Sequence, residues 1–407
     1  MRTLFLFASL LSVAAGLQAQ PRPVVPQQMP AAADGFGSPG IDAGDYVYVS
    51  GQGPRRQDGS VPTSFADQVR QSLQNIRIVI EAAGLTMDHV VYVQVYLEDM
   101  SHYGELNKVF ADYFPKNPPA RAVLGVARLP MSPVQMNAVA VRDLAGRQSV
   151  SPPNFKSDKS YSPGMLTHDR LFVSTMLGTD LSTGKAPDDP ATQVDLALDG
   201  LKSIVEAAGL KLSNMVFVNP YLTRKVPMQI MNEHYARRFE FGNTPARATI
   251  EVSNLPEGAY IAYTGVAVRD LSQRRAVRPK NMPPSPTASP CVFAGDTLYC
   301  SAKSGFIPGP NGGVYASTTS QQVRQTMRNL LDNLEEADMN FDQVVSTTVY
   351  LDDLSELPEF EKVYKQYFKG VPPAQTTVQQ VKSVDRKSDE EDHYPTLEQV
   401  SLIAVRK

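Results

Sequence analysis

The sequence predicts an α+β fold of three tandem ββαβαββ units, each a mixed sheet carrying two helices on one face. Three observations predict it. A strand–turn–strand pattern recurs as Ile41–Ser50, Met165–Ser174 and Val292–Ser301. After each comes a helix pattern with apolar residues at i, i+4, i+7 and i+11. Near the middle of each third stands one short phrase before a Val-rich stretch: Pro118-Pro119-Ala120-Arg121, Thr244-Pro245-Ala246-Arg247 and Pro372-Pro373-Ala374-Gln375.

The elements follow in order. Residues 20–35, rich in Pro and Ala, read as a mobile leader. The first helices bury the stripes Val69, Leu73, Ile76, Ile80, then Val194, Leu198, Leu201, Val205, then Val323, Met327, Leu330, Leu334. Gly84 and Gly209 stop the first two helices, and Asp338 stands in the glycine's place in the third. Strands follow at Val90 to Leu97, Met215 to Leu222 and Val344 to Leu351, and Pro220 argues for an edge position or a bulge in the second. Second helices at about 103–114, 228–239 and 356–368 lead into the short phrase. Two strands close each unit, the last ending at Arg142, Arg269 and Arg406, arginines suited to surface or interface ion pairs. Units therefore span 36–145, 159–271 and 287–407, joined by Pro- and Ser-rich linkers at 146–158 and 272–286. A charged insertion, Arg386 to His393, reads as a solvated loop of the third unit.

The length of 407 residues suggests two to four domains, and the repetition decides for three. A hydrophobic content of 42%, a charged content of 20% and a net charge of -3 fit a globular chain. They do not fit a polyanion binder, which needs a clustered basic excess. Arg2, the apolar run Leu4 to Leu17 and the small-residue site at Leu17-Gln18-Ala19 read as a signal peptide over 1–19, a buried N-terminal helix being the rival reading. The expected location is secreted or periplasmic, with no membrane span in the mature chain. In Cys291-Val-Phe-Ala-Gly-Asp-Thr-Leu-Tyr-Cys300 a two-residue Gly-Asp turn makes the cysteines cross-strand partners, so a disulfide is feasible, and two free buried thiols also fit. The five histidines show no metal-ligand spacing and no cofactor motif stands out, so neither a metal nor a cofactor is expected.

Tyr48-Val49-Ser50-Gly51-Gln52, the helix from Asn107 to Phe114, Pro-Ala-Arg with a following Leu-Pro (Leu129-Pro130, Leu255-Pro256) and the Ala-Val-Arg endings together resemble the RidA (YjgF-like) family. The likeness covers residues 35–407 as three copies. Members form trimers with a ligand cleft at each subunit interface, so the resemblance implies a RidA/chorismate-mutase-like intramolecular pseudo-trimer, monomeric as a chain. Active members hydrolyse 2-imino acids to 2-oxo acids and ammonia, so the implied partner is a small 2-imino or 2-oxo carboxylate. The family arginine that clamps the carboxylate falls on Arg121 and Arg247, with Gln375 in the third copy. Read without the family, those arginines serve equally as partners of acidic neighbours. The family glutamate that activates water falls on Gln135, Ala262 and Gln399, so no copy keeps it. The strand-end serine falls on Ser50, Ser174 and Ser301, and the helix asparagine on Asn107 and Asn232, with Glu361 in the third copy. By this comparison copy 1 is the best preserved cleft. Glu251, near Arg247, is a conceivable substitute base.

Two functions remain open at this stage. One is a weakly active 2-iminoalkanoate (enamine/imine) deaminase. The other is a non-catalytic pseudo-trimer that binds small carboxylates or other proteins. Loss of a general base costs about 10²–10⁴-fold, which favours the second. The endoribonuclease label carried by some relatives has no physical support in these residues.

Overall fold

The computed structural model describes residues 21–29, 36–153, 155–156, 158–309, 313–381, 385–389 and 393–406. The expected signal peptide and residues 20 and 30–35 of the leader lie outside them. Unit 1 runs β1 (Arg22–Val24), β2 (Gly40–Asp42), β3 (Tyr46–Gln52), α1 (Phe65–Ala82), β4 (Val90–Leu97), α2 (Tyr103–Tyr113), β5 (Ala120–Gly125) and β6 (Val134–Val141). Unit 2 repeats this as β7 (Gln148–Val150), β8 (Gly164–Leu166), β9 (Arg170–Leu177), α3 (Pro190–Ala207), β10 (Met215–Leu222), α4 (Met228–Ala236), β11 (Ala246–Arg247), β12 (Ile250–Glu251) and β13 (Ile261–Val268). Unit 3 comprises β14 (Arg274–Val277), β15 (Cys291–Ala294), β16 (Thr297–Ser304), α5 (Thr319–Glu336), β17 (Val344–Leu351), α6 (Leu357–Tyr364), β18 (Ala374–Gln379) and β19 (Glu398–Val405).

Each sheet has one order, β1-β2-β3-β6-β4-β5 in unit 1 and its counterparts in the others. The last strand runs antiparallel between its neighbours, and β4 pairs parallel with β5. The first strand of each sheet departs from the expectation. Arg22–Val24 falls in the expected leader, and Gln148–Val150 and Arg274–Val277 in the expected linkers, yet each pairs antiparallel with the hairpin edge. An open edge offers unpaired N–H and C=O groups, and each segment also buries one valine, Val24, Val150 or Val277, into its unit's core. The insertion likewise departs from a purely solvated loop, because Arg386 docks on Asp352 at 2.5 Å and Glu356 at 3.2 Å.

The stripes of α1, α3 and α5 are buried on their own sheets. Ser64, Asp189 and Thr318 cap these helices by accepting N–H groups from the first turn. Gly84 and Gly209 end the first two with φ of 76° and 75°, and Asp338 takes the same left-handed place at 58°. Cys291 and Cys300 are cross-strand partners joined as a disulfide.

Pro220 lies neither on an edge strand nor at a bulge. It sits inside β10, between β13 and the β11–β12 pair, with the register irregularity placed earlier, at Met215/Phe217. The outer neighbour gives way instead. Units 1 and 3 have continuous outer strands, whereas unit 2 has two short pieces separated by Ala248 and Thr249. Proline has no N–H to donate, and Ala248 turns its own N–H to the Asn219 side chain at 3.2 Å.

The faces of the sheets turned away from the helices pack on one another about a common axis. Tyr48, Phe172 and Tyr299 meet there with Ala120, Ala246 and Ala374, and a second cluster gathers Tyr96, Tyr221 and Tyr350. Strand β5 lies against β9, β11 against β16, and β18 against β3, so the three units close a ring. Aromatic burial of this kind stabilises by about 1.5–3 kcal/mol per side chain, so the ring is held by apolar area.

Candidate functional site

The ring creates three crevices, each between the outer strand of one unit and the hairpin of the next. The short phrase places its last residue second in the outer strand, where the chain leaves the proline and turns extended. Arg121 therefore faces unit 2, Arg247 faces unit 3 and Gln375 faces unit 1.

The strand-end serines stitch the units. The Arg121 N–H donates to Ser174 Oγ at 2.7 Å, and that hydroxyl donates to the Ser162 carbonyl at 2.6 Å. The Arg247 N–H donates to Ser301 Oγ at 2.8 Å, and Ser301 donates to the Ser289 carbonyl at 2.7 Å. Ser50 donates to the Pro39 carbonyl at 3.0 Å and accepts from Gln52 Nε2 at 2.9 Å. With their protons committed to backbone, Ser174 and Ser301 position the arginine strands.

The crevice between units 1 and 2 is sealed at its arginine. Arg121 is 3% exposed, and its Nη2 donates to Asn107 Oδ1 at 2.6 Å and to Ser160 Oγ at 3.1 Å. Phe110 and Tyr161 lie with their rings 4.6 and 5.2 Å from the guanidinium carbon. Burial lowers the Arg121 pKa, opposed by Tyr103, Tyr161 and Asp158. The strap that supplies Ser160 and Tyr161 is the stretch of unit 2 between β7 and β8.

The crevice between units 2 and 3 is open, with a volume of about 340 Å³. Arg247 is partly buried, donates from Nη1 to Asn232 Oδ1 at 2.9 Å and lies 5.1 Å from the centre of the Tyr235 ring. Thr249, released from strand pairing beside Pro220, lines the same crevice with Ser301, Lys303 and Gln399. Burial lowers the pKa of Arg247 and of Lys303.

The crevice between units 3 and 1 has no arginine in the outer strand. Gln375 is 2% exposed and donates to Thr377 Oγ1 at 3.0 Å. A smaller cavity of about 60 Å³ here is lined by Ser50, Gln52, Arg55 and Gln375.

Position by position, Gln135 stands opposite Tyr96, Ala262 opposite Tyr221 and Gln399 opposite Tyr350. The structure sets each of these residues in the crevice formed by the preceding unit's outer strand. Gln399 lines the crevice of Arg247. Gln135 lies against Gly51, on the side of β3 that meets Thr376 of unit 3. By the same register Ala262 borders the crevice of Arg121, so a copy-by-copy comparison that groups Gln135 with Arg121 joins two different crevices. Among the described residues, only the unit 2–unit 3 crevice combines an arginine in the outer strand with a hydrogen-bonding residue in the glutamate slot.

Two carboxylates near these positions face elsewhere. Glu251 pairs with Arg224 at 2.6 Å. Glu398, one residue before Gln399, points to the opposite face of β19, as neighbours in a strand must, and accepts a hydrogen bond from Thr326 on α5. Burial pushes its carboxyl up to about 8. The closing arginines bind locally: Arg142 pairs with Asp42 at 3.0 Å, Arg269 donates to the Thr167 carbonyl and Arg406 to that of Ala337. Among the described residues no cluster of three or more His, Cys, Asp or Glu is arranged to hold a metal, and no helix is long and apolar enough to cross a membrane. Sequence reasoning missed Lys303, Glu398 and the Ser160–Tyr161 strap. Lys303 was visible as a charge at the position where unit 1 has Gln52.

The family model described as Endoribonuclease L-PSP matches residues 26–142, 153–268 and 281–391. Protein HMF1 of Saccharomyces cerevisiae is 38% identical over 120 residues, 29% of this chain and 92% of that protein. The 2-iminobutanoate/2-iminopropanoate deaminase of Escherichia coli is 36% identical over 108 residues, 25% of this chain and 84% of that enzyme. The crystal structure of yeast Mmf1 matches 30% of this chain and 100% of its own, at 34% identity and a TM-score of 0.29. With the three model matches spread over most of its length, the chain belongs to this endoribonuclease L-PSP family, the RidA (YjgF-like) proteins, as three tandem copies in one polypeptide.

Proposed function

We propose that this protein binds small 2-imino or 2-oxo carboxylates in the unit 2–unit 3 crevice and hydrolyses 2-iminoalkanoates there slowly, giving 2-oxo acid and ammonia. The observation that carries this reading is Arg247, a guanidinium held by Asn232 in an open crevice and facing Gln399. A planar fork of donors suits a carboxylate. With the carboxylate on Arg247, the imine carbon lies toward Gln399, whose amide oxygen can accept a hydrogen bond from an attacking water. Water adds to C2, the carbinolamine collapses, and nitrogen leaves as ammonia once protonated from solvent. A neutral amide cannot take the water's proton, so the rate falls by about 10²–10⁴ against a carboxylate base. The same absence supports the second reading, a binder without turnover.

An amino-acid oxidase generating 2-iminopropanoate separates the two. Slow deaminase activity predicts modestly faster loss of the imine with protein present, abolished by Arg247→Lys and unaffected by Arg121→Lys. No acceleration, with 2-oxo acid binding that Arg247→Lys removes, supports the binder. Loss of neither upon Arg247→Lys overturns both.

We also place the mature chain outside the cytoplasm, as a single-chain pseudo-trimer. Arg2, the apolar run after it and the Cys291–Cys300 disulfide support the compartment. Closure of the ring within one chain supports the monomer. N-terminal sequencing of exported protein should begin at Gln20, and native mass should equal one processed chain.

A further inference from the structure

We infer that the unit 2–unit 3 crevice selects dianionic ligands, with Lys303 as the second anchor beside Arg247. The inference rests on the carboxylate-binding reading of Arg247 and adds the class of ligand. Two cations line this crevice, one from each unit. Among the described residues that line it there is no Asp or Glu. Burial lowers the pKa of both cations, and among the described residues neither forms an ion pair. A partly buried charge without an opposite charge beside it is costly, and two of like sign in one crevice more so, unless a ligand brings the opposite charge. The remaining lining is uncharged: alongside apolar residues such as Met282 and Pro283 it offers Ser285, Ser289, Gln399 and Thr249, whose Oγ1 is buried and unpartnered. A volume of about 340 Å³ admits a four- or five-carbon diacid.

The other two units show that the lysine is not required by the fold. At its strand position β9 has Met176, packed into its own unit's core, and β3 has Gln52, turned back on Ser50. The other arginine crevice differs too, since Asp158 acts on Arg121. The crevice between units 2 and 3 therefore carries two cations and, among its described lining residues, no carboxylate, and its natural ligand is a 2-oxo or 2-imino dicarboxylate, one carboxylate on Arg247 and the distal one on Lys303.

Calorimetric titration of the full mature chain with 2-oxobutanoate, which has one carboxylate, and 2-oxoglutarate, which has two, tests this. Wild type should bind 2-oxoglutarate about tenfold more tightly or better. Lys303→Met, which keeps the apolar stem, should remove that preference by weakening 2-oxoglutarate far more than 2-oxobutanoate, and Lys303→Arg should restore it. Equal affinity for both acids in wild type, or a preference that survives Lys303→Met, overturns the inference while leaving Arg247 as a carboxylate anchor. Failure of the underlying reading looks different: 2-oxobutanoate then gives no heat with wild type, or binds unchanged after Arg247→Met, and the dianion proposal falls with it.

Discussion

At the scale of single residues, two arginines that look equivalent in sequence have opposite physical roles. Arg121 is sealed between Phe110 and Tyr161 and tied to Asn107 and Ser160, whereas Arg247 reaches a crevice. Arg121→Met strands the buried Ser160 and the half-buried Asn107, so it should cost about 1–3 kcal/mol in urea unfolding and leave carboxylate titrations unchanged. Arg247→Met should do the reverse, and a reversal of that pattern would overturn the assignment of roles. Glu398 gives a pH signature. Its folded pKa of about 8 lies above the ordinary 4.5, so the folded state holds the proton more tightly than the unfolded one. The resulting stability is fully present below the ordinary value and is lost as pH rises through about 8. Between about pH 4.5 and 8, wild type should lose stability on the order of 4 kcal/mol relative to Glu398→Gln, read from paired urea curves. Parallel curves at all pH values would show that the Glu398 carboxyl is not buried as described.

At the scale of elements, one proline shapes the open crevice. Pro220 stands inside β10, its outer neighbour breaks into β11 and β12, and Thr249 between them is free to line the crevice. Pro220→Ala restores a donor, so Ala248 and Thr249 should pair. Their amides should exchange more slowly in mass-spectrometric hydrogen exchange, and carboxylate binding should weaken as Thr249 withdraws. Unchanged exchange across 246–251 would detach the break from the proline. Much of the element level was legible in advance. The three long strands begin and end where their Val-rich runs do, and the stripes of α1, α3 and α5 face the cores, because period and burial coincide there. The edge strands β1, β7 and β14 were not legible. Each is short, and most of what it adds is backbone pairing to an edge formed elsewhere in the chain, with a lone valine as its sequence signal.

At the scale of the whole molecule, the crevices belong to pairs of units, and this limits what a repeat-by-repeat reading can see. Gln135 and Arg121 lie in one copy but serve different crevices, since closure of the ring sets each outer strand against the next hairpin. Breaks in symmetry at the axis were equally invisible, because they appear only when equivalent positions meet. Tyr46, Arg170 and Thr297 occupy one equivalent position, each pairing with the valine near the end of its unit's last strand. Arg170 is 3% exposed and joins all three units. It donates to Thr297 Oγ1 at 2.7 Å and to Tyr299 OH at 3.1 Å, pairs with Asp169 at 3.1 Å and lies 4.4 Å from the centre of the Tyr46 ring. Tyr46 in turn donates to Asp169 at 2.5 Å. A single buried cation in a ring of otherwise similar faces fixes which unit meets which, as one polar residue sets register in a coiled coil. Arg170→Met removes the cation and leaves the Asp169 carboxylate short of its partner, so it should cost about 3–5 kcal/mol. The cost falls between units, while the three intra-unit cores are untouched. Thermal unfolding followed by calorimetry should therefore change from one cooperative transition into resolved steps, with the helices melting after the axial tyrosines become exposed. A single transition merely shifted to lower temperature would mean that apolar packing alone couples the units, and that Arg170 stabilises the axis without ordering it.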